Sequence, residues 1–150
     1  MGKIITTNRK AFHEYHIFDK LNAGMVLTGT EIKSIRNGGI NLRDSFVRIE
    51  NSEAFLYNCH ISHYDKGNIY NHEPERVRKL LLTKKEIQKF QAKVDKENYT
   101  IVPLSVFLDR GFAKIEIALA KGKKLYDKRE DIAKKSQQRD IQRNFKGKKL

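Results

Sequence analysis

The chain has 150 residues and carries 31 Lys or Arg against 18 Asp or Glu, a formal net charge of +13 at pH 7. Its mean hydropathy is -0.67, and no apolar run approaches the ~20 residues that cross a bilayer, which excludes membrane insertion as a reading. The N-terminal MGKIITTNRK does not read as a secretory signal, and the single Cys59 cannot form an internal disulfide, so a soluble cytoplasmic protein is expected.

The charge is unevenly placed. Residues 121–150 hold twelve Lys or Arg against Asp127, Glu130, Asp131 and Asp140, so +8 of the +13 lies there and +5 in residues 1–120. The expectation is one compact domain over 1–120 and a basic tail over 121–150. A sequence pI near 9.8 calls for a polyanionic partner, most simply nucleic acid.

The first cluster in chain order is Asn8-Arg9-Lys10 leading into Phe12, His13, Tyr15 and His16, cations beside rings. Guanidinium and ammonium groups neutralise phosphates and exposed rings stack on unpaired bases, so this mixture suits RNA; a surface that merely solvates a core containing Phe12 and Tyr15 is the alternative. Residues 30–37 (TEIKSIRN) place Ile32 and Ile35 on one side of a helix and Lys33 and Arg36 on another, with Gly38-Gly39 as its stop. Residues 46–50 and 54–61 predict a hairpin across Asn51-Ser52-Glu53, with Phe55, Tyr57, Cys59 and Ile61 on one face and Cys59 in the core.

Arg76, Arg78 and Lys79 follow Asn71-His72-Glu73-Pro74 as a second basic cluster. Thr83-Lys84-Lys85-Glu86 is a capping box, and Ile87, Phe90 and Val94 supply the apolar stripe of the helix it starts. Residues 99–108 and 112–119 read as a hairpin across Asp109-Arg110-Gly111, with Pro103 marking an edge or bulge. Period-2 alternation puts Ala113, Ile115, Ile117 and Leu119 inside and Lys114 and Glu116 outside. Five to seven short strands with two or three helices and no β-α-β alternation give the fold expectation: mainly β, an antiparallel OB-fold-like barrel with short helices, plus a disordered basic C-terminal tail. In that tail Glu130 precedes Lys134 and Asp131 precedes Lys135 by four, so a helix is expected to form only on a partner.

The pairs His13/His16 and His60/His63 raise a metal site, but no HExxH or cysteine set completes a zinc shell, and no metal or other cofactor is expected. A histidine-based RNA hydrolase is the alternative of a different class. No Walker-type loop, nucleophile elbow or dinucleotide fingerprint is present, and a non-enzymatic protein is expected.

The blocks NRKAFHEYHI (8–17), GTEIKSIR (29–36), NLRDSFV (41–47), NHEPERVRKLLL (71–82) and KIEIALAKGKKLYDKRE (114–130) resemble, in order and spacing, the SmpB family of SsrA-binding proteins. The resemblance implies an OB-like barrel that binds the tRNA-like part of transfer-messenger RNA and carries it to stalled ribosomes for trans-translation. It implies a tail that enters the empty messenger channel and the decoding region, and as partners that RNA and the ribosome, with no membrane and a monomeric chain. Another barrel-type translation factor, touching ribosomal RNA alone, is the neighbouring alternative.

By the same resemblance the RNA-binding candidates are Asn8, Arg9, His13, Tyr15, Glu31, Lys33, Arg36, Arg76, Arg78, Lys79 and Lys114, with Leu81 supporting that face by packing. Glu31 is the odd member: it either orients a cation, accepts from a base or ribose, or pairs near Lys33 and Arg36. Gly122, Lys123, Lys124, Tyr126, Asp127, Lys128 and Arg129 are the implied ribosome-contacting tail residues. Thr83 stands where relatives often carry His or Asn, and its capping role suffices.

Overall fold

In the computed structural model, residues 2–64 and 71–123 are described. They form β1 (Lys3–Thr7), α1 (Arg9–Glu14), β2 (Tyr15–Met25), α2 (Gly29–Arg36), β3 (Ile40–Asn41), β4 (Phe46–Glu50), β5 (Glu53–Tyr57), β6 (His60–Ile61), β7 (Arg78–Leu81), α3 (Lys84–Glu97), β8 (Thr100–Asp109) and β9 (Phe112–Gly122).

Strand order closes on itself. The sheet runs β1-β8-β4-β5-β7-β2-β9, and β9 pairs back onto β8. The strands from β8 round to β9 therefore make an antiparallel barrel with β1 laid along the second half of β8, an OB-like closure that leaves few free edges. Ile35, Leu56, Cys59, Ile61, Leu80, Phe90, Val106, Ile115 and Ile117 are fully buried inside it.

Local chemistry sets the elements. Arg110-Gly111 is a two-residue turn with φ of 53° and 84°, joining Asp109 to Phe112. Asn51-Ser52, at φ of 51° and 61°, does the same between β4 and β5; paired left-handed residues match the twist of the strands they join. Pro103 sits at a register shift between β8 and β9, a bulge and not an edge. Thr83 and Glu86 cap α3 reciprocally, and Ile87 and Phe90 bury its inner face. Ala113, Ile115, Ile117 and Leu119 point inward as expected. Further along β9, Ala118 and Ala120 are buried on the outer face as well, with Ala11, Val102 and Leu104, because α1 packs there. Small side chains let that short helix approach the strand closely.

The β4–β5 hairpin departs from the expected face. Ala54 and Leu56 are the buried residues of β5, and Phe55 and Tyr57 lie on its outer face. Asn58, at φ 59°, then turns the chain so that Cys59 and Ile61 point inward. One left-handed residue resets the alternation. No described helix is long and apolar enough to cross a membrane.

Candidate nucleic-acid interface

The centre of the site is the first turn of α2. Thr28 Oγ1 accepts from the Glu31 amide, and Glu31 Oε1 accepts from the Thr28 amide at 2.8 Å. The same carboxylate is fully buried. Arg76 Nη2 donates to Oε1 and Arg78 Nε to Oε2, both at 2.6 Å. Arg78, itself fully buried, also donates from Nη1 to Cys59 O at 2.6 Å and from Nη2 to Glu73 O at 3.2 Å.

Burial alone pushes the Glu31 carboxyl up, but hydrogen bonds from Arg76, the Thr28 amide and Arg78, with the Arg78 charge, outweigh it and hold the group below its ordinary value. One carboxylate faces two guanidiniums, so the cluster keeps a surplus positive charge. That charge emerges at Arg76, whose side chain is 37% exposed while those of Glu31 and Arg78 are 0%. Arg76 Nη2 is further fixed by Val26 O at 3.3 Å and Nη1 by Val77 O at 3.4 Å.

His72 ties the preceding segment to the same helix. Its Nε2 donates to Ile61 O at 2.8 Å, and its Nδ1 lies in hydrogen-bond contact with Thr30 Oγ1 at 2.9 Å.

Other cations gather at this end. Lys33 Nζ stands 5.5 Å from the Tyr64 ring centroid. Arg36 Nη2 donates to Gly111 O at 3.4 Å. Lys114 faces Asp109 at 3.6 Å, and Lys79 faces Glu53 at 3.4 Å. Partly exposed pairs of this kind contribute ~0–1 kcal/mol each and can exchange for phosphates at little cost. Across the outer face of the barrel Leu81 and Lys114 both sit opposite Gly24, one on either side of β2.

The N-terminal candidates form a second group. Arg9 and His13 are exposed on α1, and Tyr15 opens β2 opposite Gly122. The Lys123 amide donates to Glu14 O at 2.7 Å and its Nζ to Phe12 O at 3.3 Å. Lys114 and Gly122 are eight residues apart on β9, about 26 Å at the rise of an extended strand. The expected single face is therefore two patches joined by β9.

Four candidates differ from the exposed cations in what they touch. Asn8 is buried: it caps α1 and its Nδ2 donates to Pro103 O at 2.9 Å and Leu42 O at 3.3 Å, so its amide is committed to the fold. Glu31 takes the first of its three expected roles, orienting the cation Arg76, and it and Arg78 are both internal, because only mutual pairing lets either charge be buried. Leu81 is 55% exposed on the outer side of β7, its side chain over Gly24 of β2. The reciprocal Thr28/Glu31 cap was missed, although Thr28-Gly29-Thr30-Glu31 carries the same signature as Thr83 to Glu86. Lys124, Tyr126, Asp127, Lys128 and Arg129, and the helix expected around Glu130 and Lys134, lie outside the described residues.

Fold and site together define an OB-like barrel protein with cations displayed at both ends of one long strand. Residues 5–147 match the family model described as SmpB protein, and the chain belongs to the SmpB family. It is 59% identical over 145 residues to an SsrA-binding protein of Enterococcus faecalis, covering 97% of this chain and 94% of that one. It is 55% identical over 148 residues to an SsrA-binding protein of Caldanaerobacter subterraneus subsp. tengcongensis, covering 99% and 94%. A solved chain described as "tmRNA-SmpB: a journey to the center of the bacterial ribosome" superposes with a TM-score of 0.69 at 41% identity, covering 85% of this chain and 93% of that one.

Proposed function

We propose that the protein binds the tRNA-like domain of transfer-messenger RNA and delivers it to stalled ribosomes for trans-translation, as a non-enzymatic cytoplasmic adaptor. The observation that carries this reading is the Glu31-anchored Arg76, presented partly exposed at the surface, with Lys33 and Arg36 on the same helix α2 that carries Glu31. A cation whose geometry is fixed before the ligand arrives loses little freedom on meeting a phosphate, which favours a shaped RNA over any polyanion. The names of the relatives and the superposing chain support the same partners. Residues 124–150 are assigned to the messenger channel and decoding region, with Gly122 and Lys123 as the point where the barrel hands over to them.

The test is binding of the purified chain to the isolated tRNA-like domain against an elongator tRNA across a salt series. A preference that persists at physiological salt supports the reading, and equal binding that collapses with salt overturns it. Removing 124–150, which leaves β9 whole, should preserve that binding and abolish tagging of nascent chains.

A further inference from the structure

On the side of the barrel away from α2 and β7, β4 and β8 share a single residue pair, Val47 with Ile101. Past it, that edge of β8 turns to β1, while the other edge stays on β9 along the whole strand. The gap left beside that pair is roofed by α3 and forms an open cleft of about 550 Å³.

Its walls have two characters. Phe46 and Tyr99 present half-buried rings, with Val94 between the helix and the barrel. At the rim stand the Gln91 amide, the Thr100 hydroxyl and the Asp95 carboxylate, none with a side-chain hydrogen-bond or ion-pair partner among the described residues. Polar groups that converge on an apolar cleft and are left without partners are what a heteroaromatic ligand needs for orientation.

Cations flank both rings. Phe46 is stacked on Tyr57, centroids 5.4 Å apart and planes within 5°, and the Arg48 guanidinium lies 5.9 Å from the Tyr57 centroid. Lys121 Nζ stands 4.5 Å from the Tyr99 centroid, and Phe18, thrown outward by the bulge in β2, meets Tyr99 edge-on at 5.0 Å. Neither Arg48 nor Lys121 is held by a carboxylate among the described residues, so both can meet phosphate.

We propose that this cleft is a nucleobase-binding site: it takes the unpaired base of a ribonucleotide against Phe46 and Tyr99, an exocyclic amino group on Asp95, and the attached phosphate on Arg48 or Lys121. Ring stacking contributes about 1–3 kcal/mol per base and tolerates any base. Asp95 adds selection, since a carboxylate accepts from the amino groups of adenine, cytosine or guanine and repels the carbonyl edge of uracil. The chain's +13 charge excludes few anions, but only a planar ring joined to a phosphate fits both halves of this site. The assignment stands apart from the proposed function, because it uses β4, α3 and Tyr99 and none of the α2 and β7 residues.

The experiment is amide NMR of the full chain titrated with AMP, with UMP, and with a single-stranded adenine pentanucleotide or a stable hairpin duplex in which those adenines are paired. Saturable shifts at Arg48, Gln91 and Thr100 are expected for AMP, weaker by about threefold or more for UMP, and stronger for the pentanucleotide than for AMP. Gln91→Trp, which fills the cleft, should abolish them; Arg48→Ala should weaken the pentanucleotide about fivefold, and Asp95→Asn should erase the difference between AMP and UMP. The last two lie outside the core and serve if the Trp variant fails to fold. Binding of AMP without the pentanucleotide would overturn an RNA source in favour of a free nucleotide. Equal response to duplex would overturn recognition of an unpaired base, and silence at these amides with both ligands would overturn the site.

Discussion

Arg76 Nη2 donates to Glu31 Oε1 at 2.6 Å across 45 positions of sequence, and the contact joins a fully buried carboxylate to a cation at the surface. Through Arg78 the same carboxylate reaches Cys59 O and Glu73 O, so α2, β7 and the loops around them share one ionic frame. The frame holds because each internal charge is matched and the unmatched one is in solvent.

The two arginines should therefore fail differently. Glu31→Gln leaves the buried Arg78 without a counter-charge, and a loss of about 3–5 kcal/mol in urea unfolding is expected. Arg76→Ala removes a partly exposed partner, so its stability loss should be smaller, while affinity for the tRNA-like RNA falls and the salt slope drops by about 1. Equal stability losses would show that Arg76 belongs to the frame and not to the contact surface.

Glu31 also sets an acid limit. Its folded pKa lies below the ordinary 4.5, so its contribution to stability is present above that value and is lost as pH falls beneath it. Urea midpoints should decline in that acid window for the natural chain. In Glu31→Gln the decline should be shallower, although the variant starts from lower stability.

Cys59 gives the opposite sign. Burial pushes its thiol up to about 12 from 9.0, against the smaller opposing pull of Arg78. The neutral thiol is the buried form, so this contribution is intact below about 9 and fades as pH rises toward about 12. At neutral pH a thiol reagent should label the chain only as fast as the barrel opens, and one equivalent should react at once in denaturant.

Periodicity showed the elements whose chemistry is local. Thr83 with Glu86 and the alternation from Ala113 to Leu119 each declare themselves within a few residues, whereas at Pro103 an edge and a bulge read alike until the register with β9 decides between them. Three things were not visible. Asn58 resets the face of its strand by adopting a left-handed φ, which polar composition does not reveal. Glu31 has the spacing of an exposed helical acid, and its burial depends on partners 45 and 47 residues away. The division of the basic residues into two patches depends on the length of β9, because Arg36 meets one end of it and Lys123 the other. The family resemblance supplied the candidate residues without telling contacts from scaffold.

That division makes the final prediction. His13 stands two residues before Tyr15, which pairs with Gly122, and Gly122 is about 26 Å from Lys114 along β9, well beyond the distance at which substitutions usually couple. If both patches meet one RNA, Lys114→Ala and His13→Ala should each weaken binding of the tRNA-like domain, and the double variant should lose the sum within ~0.5 kcal/mol. Lys114→Ala combined with Arg76→Ala tests the other case, since both cations share one end and compete for neighbouring phosphates; there the double variant should lose less than the sum. If His13→Ala has no effect on RNA binding, the N-terminal patch serves a different surface, and the contact of Phe12 and Glu14 with Lys123 would place that surface with the tail.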